Sequence, residues 1–366
     1  MKTKLSSLFL GLAILAGVHQ TNAQVTNLGI APAPGGQSLL YWPVNLTNYV
    51  LQTVTNLAST NWLTARTAFA VDAAEVTNAA PAGFFQLQPV TPPAGMALIP
   101  AGWFTMGDTR DGEGDASPTQ IFVSAFVMDV NLVSYGVWTN VYAYATSHGY
   151  SFEHPGADGN GNTATNYPVT TVNWYDCVKW CNARSQQASL TPCYYMDTNL
   201  TQPCTNGVSS VTVYANWSAN GYRLPTEAEW EKAARGGGLG RRFSWGDLIH
   251  TNQAQYLATA GFSGYDLGPT YVPSGPSPVG SFDVNGYGLY DMAGNVEEWC
   301  WDWYGTPYGQ PSTVNPTGPP ESPLGYRVMR GGNWMANADY ARCAFRYDYL
   351  VRYADITIGF RCVRGL

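Results

Sequence analysis

Side chains able to do acid–base or metal chemistry are few in this sequence, and histidine is the scarcest. None of His19, His148, His154 and His250 has a second histidine or a cysteine at metal-site spacing. The sequence also lacks a Gly-x-Ser-x-Gly motif, a phosphate-binding P-loop and a dinucleotide-type glycine motif after a strand. We therefore interpret the histidines as surface residues and expect neither a histidine-based zinc site nor triad or nucleotide chemistry.

The cysteines carry the remaining reactive chemistry. There are seven of them: Cys177, Cys181, Cys193, Cys204, Cys300, Cys343 and Cys362. No Cys-x-x-Cys pair occurs, so thioredoxin-type exchange and covalent haem attachment are unsupported. In an oxidising compartment the default is disulfide bonds, and an odd count leaves at least one thiol over. Cys177 and Cys181 are four residues apart in a predicted helix and share one face of it.

Oxygen-rich loops raise the possibility of calcium. Hard cations take several carboxylate and carbonyl oxygens from a rigid loop, and Asp291 to Glu298 offers two carboxylates around a turn containing Gly294. Asp108 to Asp115 and Asp158 to Asn162 are also rich in oxygen. We interpret those two as solvated Asx turns, and we place calcium only at Asp291–Glu298, where a resemblance given below supports it.

Arginine is concentrated at the end of the chain. Seven of the 14 arginines lie in the last 40 residues, among Trp334, Tyr340, Phe345, Tyr347 and Phe360. One interpretation is a groove that binds an acidic or peptide ligand through bidentate arginine contacts. The other is a set of structural ion pairs with acids drawn from Glu227, Glu229, Glu231, Asp339 and Asp348. The sequence does not decide between them.

Three helices are predicted to position these residues. Ser134 to Ser147 has apolar residues at helical spacing, and a second helix begins at the Asn173 cap and runs to about Gln187. Thr226 and Glu229 form a capping box for the third, which the glycines at 236–238 stop. The rest of this region is turn-rich and aromatic, which is typical of a fold fixed by disulfides, ions or function.

Composition and the N-terminal segment restrict the class of protein. Only 12% of residues are charged, about half of the usual share of roughly 25%, while 14% are aromatic. Residues 1–23 have the basic start, short apolar stretch and small-residue end of a cleaved signal peptide. Loss of Lys2 and Lys4 would take the net charge from −7 to −9. We expect an exported protein, periplasmic or extracellular, that binds no nucleic acid and is not an integral membrane protein.

The chain is predicted to contain two folded parts after the signal peptide. Residues 24–91 contain short β-type runs separated by turn residues, which favours a small β-sandwich-like module acting as a spacer. A stiff Thr91–Gly95 linker follows. A larger domain then spans residues 92–366.

Several motifs of the larger domain resemble the formylglycine-generating enzyme, or sulfatase-modifying factor, family. They are Arg223 to Glu231 with Ala234–Gly237, Asn285 to Val296 with Glu298–Trp299, Arg330 to Trp334, and Gly359 to Cys362. Ile99 to Gly107 resembles the opening of that domain. The resemblance covers about 270 residues. It implies an α+β fold, an elaborated C-type-lectin-like architecture with little regular secondary structure.

The resemblance also implies site residues. Family oxidases bind Cu(I) through two cysteines, and those positions here are Ala336 and Ala341, with Asn333 at a neighbouring serine position. Cu(I) prefers sulfur ligands, so we expect no copper. The implied calcium ligands are Asp291, Gly294, Val296 through its carbonyl, and Glu298. The implied disulfide joins Cys181 to Cys362; Cys193 and Cys204 lie in an insertion and could close a local loop, while the pairing of Cys177, Cys300 and Cys343 stays open.

Two functions follow from these observations. The first is an exported, calcium-stabilised domain without copper oxidase activity that binds a peptide, protein or glycan. Its groove would include Asn333, Trp334, Arg342 and Arg346. The alternative is a formylglycine-generating oxidase that converts a sulfatase active-site cysteine to formylglycine, which would require an unrecognised copper site.

Overall fold

A computed structural model describes residues 91–366, except 162, 207–211, 307 and 309–311. Before residue 91 it describes only the backbone of six strands, so the predicted signal peptide 1–23 lies outside the described residues. By its backbone contacts the chain divides into two compact units, Met1–Thr91 with Pro100–Gly102, and Pro92–Ile99 with Trp103–Leu366. In the described ranges, no helix combines the length and the apolar character needed to cross a membrane.

The six N-terminal strands form two antiparallel three-stranded sheets. Their bounds are β1 Gly29–Ala33, β2 Gln37–Tyr41, β3 Tyr49–Val54, β4 Leu63–Arg66, β5 Ala73–Val76 and β6 Phe84–Pro89. The strand orders are β1-β2-β5 and β4-β3-β6. All six lie inside the segment 24–91 that the sequence assigns to a separate module.

The second unit mixes three helices with short strands. In chain order its elements are β7 Met96–Ile99, β8 Gly102–Met106, β9 Thr119–Val123, β10 Phe126–Asp129, α1 Tyr135–Ser147, α2 Trp174–Gln187, β11 Tyr194–Tyr195, β12 Tyr214–Ala215, α3 Glu227–Ala234, β13 Glu297–Trp303, β14 Tyr326–Arg330, β15 Tyr347–Leu350, β16 Ile358–Gly359 and β17 Val363–Gly365. A 3-10 turn covers Ala338–Ala341. No helix or strand occurs between residues 235 and 296, all of which are described. The predicted α+β class with little regular secondary structure is confirmed.

All three predicted helices are confirmed, and their caps explain their starts. The Ser134 side chain accepts a hydrogen bond from Val137 N at the start of α1. Asn173 and Thr226 each form a complete capping box, with Asp176 in α2 and with Glu229 in α3. These side chains satisfy backbone N–H groups that the first turn of a helix leaves without partners.

A four-stranded sheet in the order β15-β14-β13-β16 lies at the centre of this unit. Alternate residues of a strand point to opposite faces, and the two faces pack against different helices. Trp299 and Met329 belong to the core formed with α1 and α2, whereas Cys300 and Val328 belong to the core formed with α3. We call these the α2 face and the α3 face of the sheet.

Helix α3 is only 8 residues long but is tied to distant segments by its carboxylates. Glu227 pairs with Arg346, and Glu231 pairs with Arg330 and Arg235. Glu229 binds Arg223 through both of its oxygens, at 2.6 and 2.7 Å. All three glutamates are buried, so each carboxylate has the cationic partner that burial of a charge requires.

Candidate functional site

A cavity of about 610 Å³ opens at one end of the α2 face of the central sheet. A volume between about 300 and 1,000 Å³ is typical of small-ligand sites. We call it the tyrosine cavity, after the side chains that dominate its wall. It is lined by Glu297, Asn333, Ala336, Tyr340, Tyr347, Tyr349, Tyr353 and Asp355, with Leu257, Met329, Met335, Asn337 and Ile356–Ile358 completing it.

Strand geometry brings the main lining residues together. Glu297 is the first residue of β13, and its N–H donates to Thr357 O at 2.8 Å, next to the pairing of β13 with β16. Tyr347 and Tyr349 alternate along β15 and so point to one side of it. Tyr353 follows in the turn after β15, where its ring stacks on Tyr349 at 3.8 Å between centroids.

Glu297 supplies a carboxyl group to this cavity. Its side chain is buried, and burial is the main reason why its pKa rises to about 7. A hydrogen bond from the Asn333 side chain lowers the pKa, and the negative charge of Asp355 raises it. Since no arginine, lysine or histidine lies within 4.0 Å of this carboxyl group in the described part of the chain, it is a buried acid without a cationic partner.

The tyrosines form a wall of aromatic faces around this carboxyl group. Tyr340 and Tyr347 meet edge to face at 5.9 Å, and Tyr347 lies 6.3 Å from Tyr349 between ring centroids. Burial raises the pKa of Tyr347, and burial together with Asp355 raises that of Tyr353 to about 12. The phenols therefore stay protonated at neutral pH. Neutral aromatic faces beside carboxyl groups attract an ammonium or guanidinium cation.

Two of the predicted groove residues lie at or beside this cavity. Asn333 lines it and donates to Glu297. Trp334 packs next to it, and its indole N–H points to Ile356 O at 3.4 Å. The Asn333 side chain also accepts from Met335 N at 2.8 Å, which fixes the turn that follows β14.

The two positions that correspond to the copper-ligand cysteines of the family oxidases supply no copper ligand here. Ala336 lines the tyrosine cavity, and Ala341 is buried at the end of the 3-10 turn. Within the described residues, no cysteine lines the cavity and no cluster of three or more histidine, cysteine or acidic side chains could hold a metal. Cys343 lies in the α3-side core. The residues present do not fit the two-thiolate Cu(I) site of the family oxidases.

Arg342 and Arg346 do not line the tyrosine cavity. Arg342 pairs with Asp111 at 2.7 Å and with Glu113, and Arg346 binds both oxygens of Glu227 at 2.6 and 2.8 Å. Both guanidinium groups are buried in these pairs. Of the two interpretations of the arginine-rich end, structural ion pairing describes these two residues, because their charged groups already meet carboxylates of the same chain.

The predicted calcium loop is held together by hydrogen bonds and an ion pair. Both oxygens of Glu298 accept from Arg361, at 2.7 and 2.9 Å. The Asp291 carboxylate accepts from Gly280 N and from the Asn295 side chain. As arranged, Asp291, Gly294, Val296 and Glu298 do not fit a calcium ion, since a guanidinium group occupies the Glu298 oxygens. Calcium at this loop stays a prediction that would require Arg361 to move.

The predicted disulfide residues are all buried. The Sγ atoms of Cys181 in α2 and of Cys362 just before β17 lie 3.5 Å apart as free thiols. Cys193 and Cys204 lie in the same core, where Asn182 accepts from Cys193 N and donates to Cys204 O. Burial raises the pKa of the Cys181, Cys193 and Cys204 thiols. Both pairings stay predictions.

Sequence reasoning missed Glu297, Tyr349 and Tyr353, and it named Tyr340 and Tyr347 only as aromatic neighbours of the arginines. It took Glu298 as the functional carboxylate of this segment, although Glu297 precedes it directly. The signal was the alternation of Glu297, Trp299, Trp301 and Trp303, which places Glu297 on the tryptophan side of a strand. Tyr340 lies in the 3-10 turn, and Tyr347, Tyr349 and Tyr353 lie on β15 or in the turn after it, so only the folded chain brings them to Glu297.

Comparisons with known proteins agree with this fold. Residues 81–366 match the profile of the family described as the sulfatase-modifying factor enzyme 1-like domain. The chain is 33% identical over 289 residues to the formylglycine-generating enzyme of Bos taurus, which covers 74% of this chain and 75% of that protein. It is 35% identical over 219 residues to the chaperone protein LppX of Paenibacillus barcinonensis, covering 57% of this chain and 74% of that one.

A solved structure gives the same result. Treponema denticola variable protein 1 is similar to this chain with a TM-score of 0.58 and 27% identity, over 74% of this chain and 95% of that chain. The sequence motifs, the mixed architecture and the family profile, which matches more than half of the chain, lead to one conclusion. The chain belongs to the sulfatase-modifying factor enzyme 1-like family, which includes formylglycine-generating enzymes.

Proposed function

We propose that this protein is a binding member of its family, without copper oxidase activity, and that its tyrosine cavity binds a cationic side chain of a peptide. The observation that carries the proposal is the composition of the cavity. Ala336 stands in its wall where an oxidase has a copper ligand, and a buried carboxyl group, Glu297, faces tyrosine rings.

The chemistry of the reaction supports a binding role. Cu(I) held by two thiolates is what lets the family oxidases use O2 on a substrate thiol. Alanine at 336 and 341 removes both sulfur atoms, and Cys343 is buried in a core on the α3 side. One thiol cannot rebuild a two-coordinate site. The alternative, a formylglycine-generating oxidase, is supported by the identity to the Bos taurus enzyme and is tested below.

The charges of the cavity favour a cation as ligand. Its two carboxyl groups, Glu297 and Asp355, have no basic residue beside them in the lining that the structure describes. Four tyrosine rings add faces that attract a cation and exclude water. A lysine or arginine side chain of a peptide matches both features. A neutral glycan would use only the rings and leave the carboxyl groups without a partner.

Export is part of the same proposal. A signal peptide at residues 1–23 would deliver the domain to an oxidising compartment, where the adjacent thiols of Cys181 and Cys362 would form a disulfide. That bond would tie α2 to the C-terminal end of the chain. Binding at the tyrosine cavity does not depend on calcium.

In the test, the protein is titrated with a lysine-containing peptide and with the same peptide in which norleucine replaces the lysine. The lysine peptide should bind more tightly than the norleucine peptide. Its affinity should also be up to about tenfold higher at about pH 8 than at pH 6, because Glu297 ionises between these pH values. Glu297→Gln should remove this pH dependence, whereas the exposed Glu321→Gln should keep it. Equal binding of the norleucine peptide, or of a neutral oligosaccharide, would contradict the cationic ligand.

A second arm of the test addresses the oxidase. The protein is loaded with Cu(I) and incubated under O2 with a cysteine peptide that carries the sulfatase recognition motif. Mass spectrometry should detect no aldehyde, while a copper-loaded family oxidase converts the same peptide. Turnover comparable with that control would establish the alternative function and overturn ours.

A further inference from the structure

A second cavity, of about 600 Å³, lies at the other end of the α2 face of the central sheet. It shares no lining residue with the tyrosine cavity. We call it the arginine cavity, because a buried guanidinium group takes part in its wall. The residues that matter for its chemistry are Trp174, Tyr214, Trp217, Trp303, Pro319 and Arg327.

An irregularity in β13 creates the setting of Arg327. Trp299 pairs with Met329 and Trp303 pairs with Arg327, so three residues of β13 lie opposite one residue of β14. Such a bulge takes backbone groups out of the ladder. The freed carbonyl of Trp301 accepts a hydrogen bond from Arg327 Nη1, and that of Cys300 accepts from the Trp174 indole at 3.0 Å.

Tryptophan rings cover the guanidinium group of Arg327. Its central carbon lies 3.5 Å from the ring centroid of Trp303 and 4.0 Å from that of Trp174. Arg327 is buried, and its Nε has no hydrogen-bond partner among the residues that the structure describes. The group is therefore held in place by stacking, while part of its hydrogen-bonding edge is unused.

Among the described residues Arg327 also has no ion-pair partner, and the carboxyl group of Asp302 acts on it only from beyond ion-pair distance. Over the described residues, no carboxylate lies within the 4.0 Å of an ion pair, although Arg330, Arg342, Arg346 and Arg361 all have one. Burial lowers the pKa of Arg327 to about 9, so it is still a cation at neutral pH. The carboxyl group whose charge acts on Arg327 is that of Asp302, on β13. Its Oδ2 accepts from Glu227 N on the α3 side, and burial raises its pKa well above the usual range.

We propose that the arginine cavity binds an acidic saccharide, with the carboxylate of a uronate-type sugar on Arg327 and the sugar ring against the aromatic rim. The anion supplies the charge that the protein does not, and a carboxylate matches the fork of a guanidinium group. The cavity has room for much more than a small anion, and its rim is apolar: Trp217, 44% exposed, faces the opening together with Pro319.

The walls fit a ring-shaped ligand better than an extended peptide. Flat indole and proline surfaces can cover the C–H face of a sugar, and the hydroxyls of Thr212, Tyr214 and Thr317 can bond to its hydroxyls. Strand β12, which supplies Tyr214 and Ala215 to the lining, is 2 residues long and is paired with β11 on one side. Its other edge is too short for a peptide backbone to add to it as a further strand.

The experiment is a calorimetric titration of the mature protein with D-glucuronate, D-glucose and acetate. Glucuronate should bind at least about tenfold more tightly than either of the others, since only glucuronate has both the ring and the charge. Arg327→Met should abolish this preference, and Trp217→Ala should weaken binding. The matched controls Arg241→Met and Trp103→Ala, both at exposed positions outside the cavity lining, should bind like the wild type.

Several outcomes would overturn the inference. They are equal binding of glucose, no saturation with glucuronate up to about 20 mM, or glucuronate binding that survives both Arg327→Met and Trp217→Ala. Binding of N-acetyl-tryptophan but not of glucuronate would assign the cavity to a peptide carboxylate instead. Trp217 is at the rim, so its variant remains informative if Arg327→Met does not fold.

The inference stands apart from the proposed function. Titrating glucuronate in the presence of a saturating lysine peptide should leave its affinity unchanged within about twofold, because the two cavities share no lining residue. Failure of the lysine peptide to bind would contradict the tyrosine cavity alone. Competition between the two ligands would show that they share one site and would contradict this inference.

Discussion

The two faces of the central sheet treat buried charge in opposite ways. On the α3 face, Arg330, Arg346 and Arg361 each meet a glutamate within 3 Å. On the α2 face, the described structure gives no ion pair to Glu297 at one end or to Arg327 at the other, and both side chains line cavities. Paired charges on this sheet hold distant segments together, whereas the two unpaired ones line the cavities in which we propose that ligands bind.

The neighbouring residues Glu297 and Glu298 show the same difference between an unpaired and a paired buried charge. Both are buried glutamates at the start of β13, and strand alternation sends them to opposite faces. Glu298 receives both of its bonds from Arg361, while Glu297 receives one from a neutral amide, that of Asn333. The same residue type is therefore held in an ion pair on one face and lines a cavity without an ion pair on the other.

Breaking a pair on the α3 face should have the largest effect. Arg361→Met leaves Glu298 buried without its cation, and we expect a loss of about 3–5 kcal/mol in the free energy of unfolding, measured by urea denaturation. The exposed Arg352→Met should change it by less than about 0.5 kcal/mol. A loss below about 1 kcal/mol for Arg361→Met would remove the distinction between the two faces.

Neutralising Glu297 should have an intermediate effect that depends on pH. The pKa of Glu297 rises from 4.5 to about 7 on folding, so its contribution to stability is complete below pH 4.5 and is lost as the pH rises through 7. Glu297→Gln should therefore be more stable than the wild type at about pH 8, by as much as about 3 kcal/mol. Chemical denaturation across this range measures it, with Glu321→Gln as the exposed control. Parallel pH profiles of wild type and Glu297→Gln would contradict it.

Removing Arg327 should have the smallest effect on stability, although it is as buried as Arg361. Arg327→Met loses stacking on the tryptophan rings but also ends the burial of a charge without a carboxylate. We expect a change within about 1 kcal/mol in the free energy of unfolding, without added ligand. A loss as large as that of Arg361→Met would show that Arg327 is a structural residue like the others.

Local signals of the sequence predicted the helices well. Caps such as Asn173 and Thr226 bond to backbone groups three residues away, so both partners of the interaction can be recognised in a short stretch of sequence. The family motifs likewise predicted the α+β class. Both kinds of information are carried by neighbouring residues.

The candidate site depends on contacts that no local pattern contains. Arg342 meets Asp111 from 231 residues further along the chain, so its engagement in an ion pair could not be deduced from its neighbours. The tyrosine cavity combines β13, β15 and the turn after β14, and the raised pKa of Glu297 follows mainly from its burial in that assembly. Ala336 was identified from the sequence because it occupies the position of a copper-ligand cysteine in the family. Glu297 was not identified, because no motif assigned it a role.

The ion pairs of α3 also determine when this domain can fold during synthesis. A chain made from its N-terminus would present Glu227 long before Arg346 exists, and Glu231 long before Arg330. Until the last 40 residues emerge, Glu227 has to stay hydrated and Glu231 has only Arg235 as a cationic partner, so α3 cannot dock. The second unit is therefore a domain that completes its core only after its C-terminal end is made, which exposes it to chaperones and proteases for longer than a domain built from local contacts.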